Sequence, residues 1–192
     1  MTAADPPARI PAGRIVLRRW EPDNAPLLVA AVTESIEHLR PWMPWIADEP
    51  QTVARRRQLI TQWREEGEAV YGMFDEEGVR VLGGCGLHAR IGPGALEIGY
   101  WVHVAHVRNG HATAAARALT GAAFALDGIE RVEIHCDEAN RASAAVPRKL
   151  GFDLVRAEDR ERVAPGETGR HLVWAVERAH PRLPAAPTTA AT

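Results

Sequence analysis

Cysteine is scarce, with only Cys85 and Cys136 among 192 residues, and the two lie far apart. A disulfide framework needs more thiols at tighter spacing, so reduced cysteines and a cytoplasmic location are expected. Positive charge is not in excess: 23 Lys and Arg stand against 25 Asp and Glu, a formal net charge of -2. Little is therefore available to neutralise a phosphate backbone, and nucleic acid is not an expected partner. No apolar run approaches a membrane span, so no membrane partner is expected either. The start is rich in Pro and Ala and lacks the basic segment followed by an apolar core that a signal peptide needs. There is no internal repeat. The Gly-Lys-Ser/Thr phosphate loop and the glycine-rich dinucleotide fingerprint are also missing.

What remains is 46% hydrophobic and 25% charged, the balance of one globular domain with a sizeable core. Residues 1–12 read as a flexible leader, 13–179 as the domain and 180–192 as a disordered tail of Pro, Ala and Thr. Within the domain, Arg14–Arg19 predicts a strand, and Asp23 is suited to cap a helix reaching about His38. Two prolines interrupt Leu39-Arg40-Pro41-Trp42-Met43-Pro44-Trp45. Thr52–Glu66 returns to helical spacing through Val53, Leu59, Ile60 and Trp63. Glu68–Phe74 and Val79–Ala89 predict a hairpin across Asp75-Glu76-Glu77-Gly78, followed by a strand at Ala95–Val102. Ala112–Leu126 carries a small-residue helical face. Arg131–Cys136 predicts a strand, and Asn140–Leu150 a helix ended by Gly151. Phe152–Ala157 and His171–Val176 predict a final antiparallel pair. Alternating strands and helices make the fold class α/β.

Several positions carry chemistry. Val107-Arg108-Asn109-Gly110-His111-Ala112 follows a strand and opens a helix, where unpaired N–H groups and the helix dipole favour an anion. Gly110 permits close approach, and Arg108 supplies charge. Read by itself, such a loop more often only turns the chain. Asn140 suits a helix N-cap. Pro147 lacks the N–H that would bond the carbonyl of Ser143, which leaves that carbonyl free beside a hydroxyl. Trp42, Met43 and Trp45 are candidates to line an acceptor pocket or to pack an irregular loop. His103, His106 and His111 lack carboxylate or thiol partners nearby, so no metal is expected. Arg55-Arg56-Arg57 reads as a solvated helix face, and Cys136 as buried core.

Five features then occur in order: Glu97-Ile98-Gly99-Tyr100-Trp101-Val102, the Val107–Ala112 loop, Ala114-Ala115-Ala116-Arg117-Ala118-Leu119, Asn140-Arg141-Ala142-Ser143 and Lys149-Leu150-Gly151-Phe152. Together they resemble the GNAT superfamily of N-acetyltransferases. Leu39–Trp45 is similar to the branch containing the ribosomal-protein alanine N-acetyltransferases. The match runs from about Arg14 to Arg178. One position departs from the pattern: Val107 stands where the family's loop has Gln or Arg.

The resemblance implies a single domain with a mixed, mostly antiparallel sheet flanked by helices and a splayed strand pair. It implies transfer of an acetyl group from acetyl-CoA to a primary amine by direct attack, without a metal. The acceptor is a protein N-terminus or a small-molecule amine. Tyr100, Trp101 and Val102 would hold the donor near its thioester. Val107, Arg108, Asn109, Gly110, His111, Ala112 and Thr113 would hold its diphosphate, and Asn140 and Ser143 would contact it further along. Glu97 is the expected base, its pKa raised by burial or a neighbouring charge, and Ser143 the expected acid at sulfur. Trp42, Met43 and Trp45 are the expected acceptor contacts, and a homodimer is common in the family. Two alternatives stay open: a non-catalytic acyl-CoA sensor, and an enzyme using another acyl-CoA such as succinyl-CoA.

Overall fold

A computed structural model describes residues 5–179. The expected tail, residues 180–192, lies outside the described residues, as do the first four positions. In chain order the elements are β1 (Arg9–Ala12), β2 (Ile15–Arg19), α1 (Ala25–Leu39), α2 (Val53–Glu65), β3 (Ala69–Asp75), β4 (Val81–His88), β5 (Ala95–Val102), α3 (His111–Phe124), β6 (Arg131–Asp137), α4 (Arg141–Leu150), β7 (Asp153–Asp159) and β8 (Arg170–Glu177). Among the described residues the strands form one eight-stranded sheet in the order β1-β2-β3-β4-β5-β6-β8-β7. Every neighbouring pair is antiparallel except β5 and β6. The expected mixed, mostly antiparallel α/β sheet is therefore present.

Two local expectations change. Arg9–Ala12, assigned to the leader, is a strand that pairs with β2 across Gly13 and Arg14. Its inward residues Ile10 and Ala12 are buried against α3. Pro11 disguised it, yet β1 is an edge strand, where a missing N–H is tolerated. Asp23 does not cap α1; it sits inside a short 3-10 turn, Pro22–Asn24, and Asn24 occupies the N-cap position.

Strand alternation divides the core between the two faces of the sheet. Val16, Trp20 and Phe74 join Leu28, Val32 and Ile60 of α1 and α2 on one face. Leu17, Met73, Ile98 and Ile134 join Leu119 of α3 and Val146 of α4 on the other. Ala115, Ala116 and Ala123 have no exposed surface, so the small face of α3 lets the helix lie close to the sheet.

The parallel pair is short. Only Ala95, Leu96 and Glu97 pair with Arg131, Val132 and Glu133. Beyond that, β5 stays with β4 as far as Val102, while β6 stays with β8 as far as Asp137. The sheet divides between these two halves, which leaves the facing edge of residues 98–102 unpaired by β6.

Candidate active site

The α3 start stands beside this division. His103 N–H continues the β4 ladder by donating to the Leu82 carbonyl (2.9 Å), and Val104 N–H donates to Ser35 Oγ of α1 (3.2 Å). The chain then passes through two left-handed residues, Arg108 (φ 63°) and Gly110 (φ 80°). Left-handed backbone is natural for Gly110 and costs strain at Arg108, the described non-glycine residue with positive φ. No side chain caps α3. Asn109, the nearest amide, donates instead to the His106 carbonyl (3.2 Å). The first N–H groups of the helix, at His111, Ala112 and Thr113, thus remain available to an anion. Arg108, Asn109 and Gly110 are exposed, while Val107 is half-buried and brings no charge.

The second constellation joins β5 to α4. Asn140 Oδ1 accepts from the Ser143 N–H (3.1 Å), the expected cap. The Ser143 carbonyl left free by Pro147 has a partner: the Tyr100 hydroxyl donates to it at 3.1 Å and lies 3.1 Å from Ser143 Oγ. Burial pushes the Tyr100 hydroxyl well above the usual phenol range, so it stays a neutral donor. Cys136 is buried nearby, and burial raises its thiol to about 11, which agrees with a packing role. The sequence reading valued Tyr100 for its backbone and missed its hydroxyl. Pro147 was the signal that pointed to it.

On the α1–α2 face lies a cavity of about 1020 Å³. Trp42, Met43 and Trp45 form one wall, and Glu97, Trp101 and His135 lie in the floor. Tyr100, Asn140 and Ser143 also line it, so the cavity continues through the division of the sheet. Trp45 is 36% exposed, and its ring meets Trp101 edge-on at 6.4 Å. Glycines make the floor possible. A Cβ on Gly84 would lie 2.5 Å from Trp101 Nε1, and one on Gly99 3.2 Å from His88 Nε2. Both rings therefore rest on bare backbone.

Glu97 is 8% exposed and accepts two hydrogen bonds from Arg90, Nε to Oε2 (2.9 Å) and Nη2 to Oε1 (2.6 Å). Burial pushes its carboxyl up, but the hydrogen bonds and the charge of Arg90 hold it below the usual range. The expectation of a raised value is therefore reversed: Glu97 is held ionised. His135, which sequence reading did not single out, sits between two carboxylates. Its Nε2 is 2.5 Å from Glu133 Oε2, and its Nδ1 is 3.8 Å from Glu97 Oε2. The alternation Glu133, His135, Asp137 puts these three on one face, and the parallel register of β5 and β6 makes it the face of Glu97.

His103 and His106 make structural contacts. His103 Nδ1 accepts from Ala105 N–H (3.1 Å), its Nε2 contacts Glu34 (3.2 Å), and its ring lies 5.2 Å from that of His106. Among the described residues, no group of three or more His, Cys, Asp or Glu is arranged to hold a metal ion. Arg56 corrects the reading of a solvated basic face: it is buried and paired with Glu49.

An open strand edge leads from an uncapped helix start to a cavity lined by aromatic as well as charged side chains, a layout that suits an extended anionic ligand meeting a second reactant. Comparison with known proteins makes the assignment specific. Residues 14–153 match the family model described as an acetyltransferase (GNAT) domain. The chain is 30% identical over 144 residues, 72% of its length and 77% of the relative's, to the Bacillus subtilis (strain 168) protein named "Putative ribosomal N-acetyltransferase YdaF". Its fold is similar to that of RimL, a ribosomal L7/L12 alpha-N-protein acetyltransferase solved in complex with coenzyme A (TM-score 0.77, 24% identity, 88% of this chain and 97% of that one). It is also similar to Mycobacterium smegmatis RimJ in complex with CoA-disulfide (TM-score 0.78, 22% identity, 93% and 90%). The chain belongs to the GNAT family of acetyltransferases, and it is an acetyl-CoA-dependent N-acetyltransferase.

Proposed function

We propose that the acceptor is the α-amine of a protein chain, and that the reaction takes place where the cavity crosses the divided sheet. The observation that carries this reading is the continuity of the cavity, which places Glu97 on the α1–α2 side and Ser143 on the α3–α4 side of one space of about 1020 Å³. That is the upper end of small-molecule sites, and it suits the acyl-bearing arm from one side and a chain end from the other. The name of the Bacillus subtilis relative supports a ribosomal protein as the acceptor.

The residues take the following roles. His111, Ala112 and Thr113 offer backbone N–H groups to the diphosphate, with Arg108, Asn109 and Gly110 shaping the approach. Val107 adds contact without charge. Backbone N–H groups along Tyr100, Trp101 and Val102 hold the thioester carbonyl, where fixed dipoles stabilise the developing oxyanion. Asn140 fixes the start of α4, so that the Ser143 hydroxyl, bonded to Tyr100, meets the leaving sulfur. Glu97 attracts the ammonium of the acceptor, and Trp42, Met43 and Trp45 line its path.

Among the described residues no helix is long and apolar enough to cross a membrane. A cytoplasmic location is proposed in keeping with two free cysteines and a ribosomal acceptor. A homodimer is proposed as well, for which Leu154 and Val155, exposed on the edge strand β7, are the candidate surface; light scattering tests it.

Release of free thiol from acetyl-CoA across alanine-, serine- and methionine-starting peptides, polyamines, aminoglycosides and amino acids tests the acceptor. Release confined to peptides supports the proposal. Release confined to small amines replaces it, and tight donor binding without any release favours a sensor.

A further inference from the structure

Acyl transfer needs a neutral amine, while an α-amine near neutral pH is mostly ammonium. Some group must take that proton. Glu97 is poorly suited, because both of its oxygens already accept from Arg90 and the pairing holds it ionised. A carboxylate tied in this way attracts the ammonium but has little drive to remove its proton.

We propose that His135 is the catalytic base, taking the acceptor's proton on Nδ1 while Glu133 and Glu97 stabilise the imidazolium that results. The inference rests on the acyl-transfer reading above. The geometry supplies each part. Glu133 is ionised: burial raises its carboxyl, but hydrogen bonds from His135 and Arg131 bring it below the usual range. A carboxylate only accepts, so the neutral form of His135 keeps its proton on Nε2, toward Glu133, and presents the Nδ1 lone pair. Nδ1 is the nitrogen on the Glu97 side, and both residues line the cavity. The His135 side chain is 9% exposed, sheltered from bulk water yet open to the cavity.

The other charges around His135 are already matched. Arg90, from the β4–β5 connection, is held by Glu97, and Arg131 by Glu133 and Glu177. Beyond β8, Arg160 pairs with Glu158 of β7, and His88 of β4 lies 3.6 Å from Glu68. Asp137 accepts from Ala139, Thr168 and Gly169. His171 of β8 meets His135 edge-on at 5.4 Å, and burial with the Arg160 charge keeps it below the usual histidine range, hence neutral. The two carboxylates flanking His135 are thus the charges that respond when it gains a proton.

The step balances. The ammonium loses one proton to His135 Nδ1. The neutral nitrogen bonds to the thioester carbonyl carbon, the carbon–sulfur bond breaks, and its electron pair leaves on sulfur. A second proton from nitrogen reaches sulfur by way of the Ser143 hydroxyl, and His135 returns its proton to solvent.

The test is kcat/KM against pH for a peptide amine, with the wild-type protein, His135→Gln, His135→Ala with and without added imidazole, and Glu97→Gln. Calorimetric binding of acetyl-CoA is measured for each. The expected result for His135→Gln is a loss of about a hundredfold or more at neutral pH, together with the acid limb of the profile, at unchanged donor affinity. Imidazole restores His135→Ala in a pH-dependent way, which a merely structural role does not explain. Glu97→Gln keeps the acid limb, because the proposed base is still in place. If His135→Gln keeps the wild-type rate and limb, or if Glu97→Gln abolishes the limb, the His135 assignment is overturned while acyl transfer stands. If the wild-type protein releases no thiol with any amine, the acyl-transfer reading falls and this inference with it.

Discussion

The two sides of the divided sheet work by different means. On the α3 side the proposed donor site is built of backbone: an uncapped helix start, the open edge of residues 98–102, and a left-handed turn at Arg108 and Gly110. On the α1–α2 side the proposed acceptor site is built of side chains: Glu97 tied to Arg90, His135 between carboxylates, and Trp45 against Trp101. Backbone contacts survive side-chain changes, so the proposed donor site is expected to tolerate Val107 where the resemblance implies Gln or Arg. Side-chain contacts do not, so substitutions on the acceptor side are expected to change what is acetylated and how fast.

The sharpest break in this contrast is Glu97→Gln. It removes the charge that attracts the ammonium and leaves Arg90 without its partner, so kcat/KM falls by about a hundredfold, while calorimetry finds acetyl-CoA affinity within about twofold. Gly84→Ala comes next. Its Cβ would lie 2.5 Å from Trp101 Nε1, so the ring must move. The acceptor KM then rises by about tenfold with the donor constant unchanged, readable in initial-rate kinetics.

Ser143→Ala and Tyr100→Phe sharpen the comparison from the other side. The first removes the hydroxyl aimed at sulfur, and the second leaves the Ser143 carbonyl without its donor. Both lower kcat by about tenfold to a hundredfold with acceptor KM nearly constant. In double-mutant form they are expected to be non-additive, since one hydrogen-bonded unit is lost either way. The smallest effect belongs to Val107→Arg, which adds a charge beside a phosphate site. It tightens acetyl-CoA binding by about two- to fivefold, and salt reverses the gain.

Acid stability offers a separate check on the Glu97–Arg90 pair. The folded pKa of Glu97 is depressed, so its contribution is fully present above the unfolded carboxylate value and disappears as pH falls through the folded value. Denaturant melts from neutral pH down through the carboxylate range are expected to show a shallower acid loss in Arg90→Gln than in the wild-type protein.

Much of the fold was legible because its signals are local. Ala95–Val102 was read to the residue, and the Asn140 cap, the Gly151 stop and the interruption at Pro44 all follow from short-range chemistry. The loop that opens α3 was legible for the same reason, since it is contiguous in sequence. β1 was missed because Arg9-Ile10-Pro11-Ala12 is too short to show alternation. The acceptor side was harder. Arg90 reaches Glu97 across the β4–β5 turn, His135 reaches Glu97 through a parallel register, and Tyr100 reaches Ser143 across 43 positions. Strand pairing at a distance sets these contacts, and no local pattern encodes that register. For the same reason the direction of the Glu97 shift was misjudged: burial was foreseeable, but the guanidinium that outweighs it was not.

The most direct test is mass spectrometry of an alanine-starting peptide incubated with acetyl-CoA and the protein, with Ser143→Ala alongside. The account predicts one acetyl group on the α-amine, formed in step with free thiol, and slower formation in the variant at equal donor binding. A peptide that stays unmodified while thiol is released by simple hydrolysis would contradict it.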